Sequence, residues 1–126
     1  MSPMNTGSMP RPSAEAKAAF QALLPVAGDV AARPMFGNLS GFVNGNMFCG
    51  IFGDELFVRL AEEDRGRVLA AGGAAFSPMP GRAMQEYVTL PGGWLEDVDA
   101  ARIWIDRALE WSRRLPPKTP RRARRR

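Results

Sequence analysis

The chain has 126 residues, 45% of them hydrophobic, which is enough for one domain with its own core and argues against general disorder. It contains one cysteine and no histidine, so an internal disulfide, Ser-His-Asp or Cys-His catalysis, and a zinc site rich in histidine or thiolate are excluded. No apolar run approaches the roughly 20 residues that span a bilayer, and the first residues lack the apolar core of a signal peptide. We expect a cytoplasmic protein with no metal, cofactor or membrane contact.

The net charge of +4 is unevenly distributed along the chain. Of the 17 basic residues, eight lie from Arg113 onward with no acidic residue among them, which leaves nine basic against 13 acidic residues elsewhere. The sequence therefore predicts an acidic body followed by a basic tail. Any electrostatic argument for a nucleic-acid partner rests on that tail alone.

The N-terminal part of the chain predicts a flexible segment followed by a helix. Residues 1–12 are rich in methionine, proline and small polar residues, and Met4 and Met9 are alternative starts besides Met1. Apolar residues of the range 14–24 then recur at helical spacing after Ser13, a plausible N-cap. We predict that the folded domain begins at this cap.

The next segment predicts a meander of four strands. Residues 30–37 read as extended, and Asn44-Gly45 is a strong signal for a two-residue hairpin turn, because both central residues of such a turn need positive φ. Gly53-Asp54 provides a second tight turn to the following strand.

Two-residue turns fix the register and therefore the two faces of the sheet. Pairing Val43 with Asn46 sets Cys49 opposite Ser40 on one side and opposite Val58 on the other. The face that we expect under the helices holds Phe42, Met47, Cys49, Ile51, Leu56, Val58 and Leu60. The opposite face holds Leu39, Gly41, Val43, Phe48, Gly50, Phe52, Glu55, Phe57 and Arg59.

The second half of the chain predicts a helix over about 61–71, a strand over 84–90 and a last helix that starts at Asp97 or Asp99. The fold class is thus α+β, an antiparallel meander sheet covered by helices, in the order α-β-β-β-β-α-β-β-α. We place the domain at 13–115 and a disordered basic tail at 116–126.

Two sets of residues are candidate binding sites, and both have a simpler explanation. Phe48, Phe52, Phe57 and Arg59 form an aromatic sheet face that could stack bases, but a packing layer or dimer contact fits an acidic body better. The tail could bind nucleic-acid phosphates without reading sequence, or it could only solubilise the chain. Its basic residues are Lys118, Arg121, Arg122, Arg124, Arg125 and Arg126. Cys49 is expected to be an inert core thiol.

Several blocks of the sequence, in their order and spacing, resemble one known family. They are Met35-Phe36-Gly37, residues 41–48 and residues 54–60, continued by Phe76, Glu86-Tyr87, Pro91 and a final helix containing Trp104. Over about residues 14–114 the chain resembles the N-terminal domain of the TfoX/Sxy competence regulators.

The resemblance implies a compact α+β domain similar in architecture to type III secretion chaperones, with no known active site. The full-length regulators act on transcription of DNA-uptake genes and carry a second, helical C-terminal domain. This chain has a short basic tail after Leu115 instead, so we expect a stand-alone copy of the N-terminal domain.

Three functional hypotheses follow. The first is a non-enzymatic, TfoX-like regulatory or protein-interaction module that binds a protein partner or a second copy of itself. The second is a DNA-associated protein that binds phosphates non-specifically through its tail. The third is an enzyme, which a concave pocket gathering Arg59, Arg82, Glu86 and Tyr87 would favour.

Overall fold

A computed structural model describes residues 11–35, 37–78, 81 and 83–118. The helices are α1 (Ala14–Leu23), α2 (Glu62–Ala70) and α3 (Val98–Arg113), with a 3₁₀ turn at Trp94–Glu96. The strands are β1 (Val30–Met35), β2 (Asn38–Val43), β3 (Asn46–Phe52), β4 (Glu55–Arg59), β5 (Ala74–Ala75) and β6 (Tyr87–Thr89). The predicted α+β class and the element order α-β-β-β-β-α-β-β-α are confirmed.

The six strands form one antiparallel sheet in the order β1-β2-β3-β4-β6-β5. The first four follow chain order, and β6 then inserts between β4 and the short edge strand β5. All three helices contribute to one buried cluster with the sheet, so they cover a single face of it. The large members of this cluster are Phe20, Leu23, Phe48, Ile51, Leu56, Val58, Leu60, Val68, Leu90, Trp94, Ile105 and Leu109.

Side-chain caps begin the first and last helices where the sequence predicts them. The Ser13 hydroxyl accepts a hydrogen bond from the backbone N–H of Ala16 at 3.1 Å. Asp97 caps α3 in the same way, its carboxylate accepting from the N–H of Ala100 at 3.3 Å. Each cap satisfies a donor that the first helical turn leaves free.

A β-bulge in β3 overturns part of the predicted register. Phe42 pairs with Met47 as expected, but Cys49 lies opposite Gly41 rather than Ser40, because β3 has one extra residue, Phe48, at this point. Because side chains alternate between the two faces of a sheet, one extra residue in a strand moves the residues beyond it to the opposite face from the one predicted. The turn-side pair Phe42 and Met47 therefore lies on the face without helices, whereas Val43 and Phe48 join the helix-covered core.

Gly41 shows why the bulge forms at this position. A Cβ placed on Gly41 would lie 2.6 Å from Cδ1 of Leu24, 3.0 Å from Sγ of Cys49 and 3.3 Å from Cε1 of Phe48. Only glycine leaves room for three side chains to converge on one strand position. The bulge and the glycine together bring the Phe48 ring, the Cys49 thiol and the Leu24 side chain to one strand position.

The end of the described chain packs on the β2–β3 turn. The backbone N–H of Lys118 donates to the carbonyl of Asn44 at 2.8 Å, and the side-chain amide of Asn46 donates to the carbonyl of Pro116 at 3.1 Å. We call residues 116–118 the strap. These three residues, expected to belong to a disordered tail, are thus hydrogen-bonded to the domain.

Candidate interaction face

The sheet face opposite the helices carries a second apolar cluster. Its buried members are Met47, Phe57, Phe76 and Tyr87, and its partly exposed members are Met35, Phe42, Phe52 and Met84. We call these eight residues the outer face. Strands β1 to β4 and β6 supply six of them, and the connection between β5 and β6 supplies Phe76 and Met84.

The centre of the outer face is covered by the chain itself. The ring of Phe76 stacks on Phe57 with centroids 4.1 Å apart and planes 11° from parallel, and it meets Phe52 edge-on at 5.5 Å. Met84 is held beside Phe76 because its N–H donates to the Phe76 carbonyl at 2.9 Å. Phe57 is consequently only 1% exposed. Its apolar surface contributes to stability and is not available to a partner.

Arg59, Glu86 and Tyr87 form a polar border beside this cluster. Nε of Arg59 donates to Oε1 of Glu86 at 2.8 Å, and the guanidinium lies 5.4 Å from the centre of the Tyr87 ring. The Tyr87 hydroxyl donates to the carbonyl of Met47 at 2.8 Å. Burial raises the pKa of Tyr87, and the nearby Arg59 charge partly opposes that rise.

Glu86 has a backbone conformation that glutamate rarely adopts. Its φ is +73°, in the left-handed region that is strained for residues with a Cβ. Two contacts hold it there, since its carbonyl accepts from the N–H of Leu60 at 2.9 Å and its carboxylate binds Arg59. This conformation points the carboxylate along the border of the outer face.

A second arginine flanks the opposite end of the outer face. The guanidinium of Arg33, on the edge strand β1, lies 5.0 Å from the centre of the Phe42 ring. Arginine over an aromatic face is favourable because the ring carries negative charge density above its plane. The partly exposed Phe42 ring is therefore bordered by the positive charge of Arg33, whereas at the other end the charge of Arg59 is paired with Glu86.

Three of the four residues predicted for the aromatic face have the predicted position in the sheet. Phe52, Phe57 and Arg59 do share one face of the sheet. The placement of Phe48 there is wrong, because the bulge turns its ring into the helix-covered core, where it is fully buried. Sequence reasoning missed Phe42 and Met47 for the same reason. It missed Phe76 because a ring in an irregular segment has no strand periodicity.

The other candidate residues from the sequence lie in different environments. Cys49 is fully buried in the helix-covered core, as predicted, and burial raises the pKa of its thiol, which keeps it protonated and unreactive. Arg59, Glu86 and Tyr87 do come together, but they bind one another and the Met47 carbonyl. Arg82, the fourth residue of the enzyme hypothesis, lies outside the described residues.

The tail residues fall largely beyond the described part of the chain. Lys118 is exposed and ends the strap, whereas Arg121, Arg122, Arg124, Arg125 and Arg126 are outside it. Among the described residues, no group of three His, Cys, Asp or Glu side chains is placed to hold a metal ion. No helix in that part of the chain is long and apolar enough to cross a membrane.

Comparison with protein families identifies the class of this domain. The family model of the TfoX N-terminal domain matches residues 21–112, which is most of the chain and nearly all of the fold. The chain therefore belongs to the TfoX N-terminal domain family. No curated protein matches the chain significantly.

Proposed function

We propose that the chain is a non-enzymatic regulatory module that acts by binding protein through its outer face. The observation that carries this proposal is the asymmetry of the sheet. Three helices cover one face, whereas in the described part of the chain only Phe76 and Met84 of the β5–β6 connection lie over the centre of the other face, and Met35, Phe42, Phe52 and Met84 stay partly exposed.

The composition of the outer face supports a protein partner. Protein interfaces are enriched in aromatic residues, methionine and arginine and depleted in lysine, and the outer face with its two flanking arginines has that composition. Methionine adds side chains that adapt to different contacts. A nucleic-acid partner fits less well, because Arg59 is already paired with Glu86 and offers phosphates little free positive charge.

The free edge of the sheet is a weaker candidate for binding than its face. Pro34 lies within the edge strand β1, opposite Leu39 of β2. Because proline has no N–H, it fits there only with its nitrogen directed away from β2, which removes an outward donor from the edge. An added strand would find few hydrogen-bond partners, so we place the contact on the side chains of the outer face.

Self-association is the first form of this proposal to test. The molar mass of the purified chain would be measured by light scattering over a wide concentration range, for the native chain and for Phe42→Glu. Phe42 is partly exposed and the Arg33 guanidinium lies over it, so the new carboxylate has a partner and the fold should persist. Ile103→Glu, at a 58% exposed position on α3, is the matched control.

The proposal predicts a dimer that Phe42→Glu dissociates and Ile103→Glu leaves intact. If the native chain is a monomer at every concentration, the partner is a different protein. Cross-linking from positions beside Phe42 and Phe52 in cells should then capture it, and Phe42→Glu should abolish the capture. If Phe42→Glu still forms the dimer or still captures the partner, the outer face is not the interaction site.

A second candidate function rests on the charge of the tail. Six basic residues and no acidic residue lie in the tail, residues 116–126. We propose, as the alternative, non-specific binding to nucleic-acid phosphates. Each phosphate contact contributes roughly 0.9 to the slope of log K against log salt concentration.

The test compares the native chain with a variant in which the five arginines after the strap are changed to serine. This variant keeps residues 116–118 and therefore the packing of the β2–β3 turn. Duplex-DNA binding would be titrated against salt for both chains. Loss of binding and of most of the salt slope in the variant supports the tail, and equal binding by the two chains contradicts it.

A further inference from the structure

A cavity of about 220 Å³ lies on the helix side of the molecule, across the sheet from the outer face. It is bounded by α2, by the connection from β6 to α3 and by the first turns of α3. Val68, Leu90, Pro91, Trp94 and Trp104 form most of its apolar wall. Two indole rings on one small cavity provide large, flat contact surfaces for a ligand.

The wall of the cavity is fixed before any ligand binds. The indole N–H of Trp94 donates to the carbonyl of Asp54 at 2.8 Å, and the N–H of Leu90 donates to the carbonyl of Leu56 at 2.8 Å. Val68, Leu90 and Trp94 are each at most 6% exposed. A rigid wall lowers the entropic cost of binding, because few side chains have to be ordered.

Asp97 is the one charged side chain among the residues that line this cavity. One oxygen of its carboxylate caps α3 by accepting from the N–H of Ala100. A carboxylate has two oxygens and several acceptor positions, so the cap leaves capacity for another donor. The cavity therefore combines an apolar, indole-lined body with a single negative group.

A neighbouring arginine is paired with a carboxylate outside the cavity wall. Arg107 lies 5.9 Å from the centre of the Trp104 ring, but it is not part of the cavity wall. Its guanidinium binds both oxygens of Asp64, at 3.0 and 3.2 Å. Its charge is thus paired with Asp64 of α2.

We propose that this cavity binds a small organic amine, whose apolar body lies between Trp94 and Trp104 and whose ammonium group donates to Asp97. Indole rings attract cations through their faces, and a carboxylate accepts charge-assisted hydrogen bonds from an ammonium. A carboxylic acid or phosphate ligand would be repelled by Asp97. A neutral ligand would leave the charge of the exposed carboxylate unpaired, with the N–H of Ala100 as its donor. The site is independent of the proposed interaction function.

The test uses 2-phenylethylammonium as the probe and 2-phenylethanol as its neutral counterpart of similar shape. Binding to the ¹⁵N-labelled full-length chain would be followed by NMR titration. Gly92 and Gly93 line the cavity, so their amides report on the site, as do the indole N–H signals of Trp94 and Trp104. We expect saturable shifts at these positions, with the ammonium bound roughly tenfold more tightly than the alcohol.

Two matched aspartate variants separate the charge from the fold. Asp97→Asn removes the charge but keeps a side chain that caps helices equally well. Asp99→Asn removes the same charge from the same helical turn, at a 93% exposed side chain outside the cavity wall. We expect Asp97→Asn to remove the preference for the ammonium and Asp99→Asn to retain it. Ala100→Leu should fill the cavity and abolish binding of both probes.

Three outcomes would overturn the proposal. The first is the absence of localised shifts, and the second is equal affinity for the alcohol and the ammonium in the native chain. The third is binding of a capped lysine, Nα-acetyl-lysine methylamide, in preference to 2-phenylethylammonium. That last result would assign the cavity to a lysine side chain of a protein partner.

Discussion

Phe57 and Phe76 are stacked face to face, with ring centroids 4.1 Å apart, although they are 19 positions apart in a small chain. Phe57 belongs to β4, and Phe76 follows the short edge strand β5. The contact closes the β5–β6 connection over the outer face and buries the central ring of that face. The availability of the outer face to a partner therefore depends on this stack.

The stack predicts a large loss of stability when Phe76 is removed. Phe76→Ala should lower the free energy of unfolding by about 3 kcal/mol, because a ring that is 2% exposed leaves a cavity above Phe57. Phe52→Ala is the control, since that ring is partly exposed and meets Phe76 only edge-on. Urea denaturation measures both variants. Equal losses of unfolding free energy in the two variants would mean that the Phe57–Phe76 stack stabilises the fold no more than the peripheral Phe52 ring does.

The sequence predicted the elements of this fold well but the sheet faces only in part. Helical spacing, the Ser13 and Asp97 caps and the Asn44-Gly45 turn are local signals, and each corresponds to an observed feature. The bulge at Phe48 is not purely local, because Leu24 crowds Gly41 from outside the hairpin. Alternation along β2 and β3 cannot report such a contact.

The outer face shows the same limit of prediction from sequence. Phe52 precedes the second hairpin turn and Phe57 and Arg59 follow it, where the register is regular, and their shared face was predictable. The cover provided by Phe76 was not, because a ring in a connection reveals its contact only once β6 is paired with β4. The sequence therefore predicted the sheet face of Phe57 correctly but did not predict that its ring is buried.

The strap on the β2–β3 turn predicts an unusually costly glycine substitution. A Cβ on Gly45 would collide with the carbonyl oxygen of Lys118, and the residue also has φ of +81°. Gly37 is a close control, because its φ is +76° and no described atom outside its chain neighbours lies within 4 Å of a Cβ placed on it. Gly37→Ala should cost about 1 kcal/mol from backbone strain alone. Gly45→Ala should cost roughly twice as much or more, because it also displaces the hydrogen-bonded strap.

Thermal or urea unfolding of the two glycine variants checks this difference. NMR signals of Asn46 provide a second measurement, since its side-chain amide donates to Pro116 only while the strap is in place. Gly45→Ala should shift that amide, and Gly37→Ala should not. Equal costs for the two variants would show that the strap does not bind the turn in solution.

A buried serine in α3 predicts a stabilising substitution. Ser112 is fully buried, and its hydroxyl has no hydrogen-bond partner among the described residues. Ser112→Ala should raise the free energy of unfolding by about 1 kcal/mol, because it removes an unsatisfied polar group and improves helix propensity. Ser13→Ala is the opposite case, since it deletes the α1 cap and should cost about 1 kcal/mol. Differential scanning calorimetry should shift the two melting temperatures in opposite directions.

The buried thiol of Cys49 predicts that stability falls in alkaline solution. Burial raises the pKa of Cys49 in the folded chain above its value in the unfolded chain. The unfolded thiol ionises near pH 8.5, so the stabilisation is complete below that pH and is lost as the pH rises. The expected slope is about 1.4 kcal/mol of unfolding free energy per pH unit.

Cys49→Ala provides the control for this pH dependence. Urea unfolding between about pH 8 and pH 10 should give a markedly shallower slope for Cys49→Ala than for the native chain. Tyr87, whose pKa burial also raises, adds a further loss only at higher pH, because its unfolded value is near 10. A thiol reagent should modify the native chain only as fast as the chain unfolds. Identical slopes, or rapid modification of the folded protein, would place Cys49 outside the core.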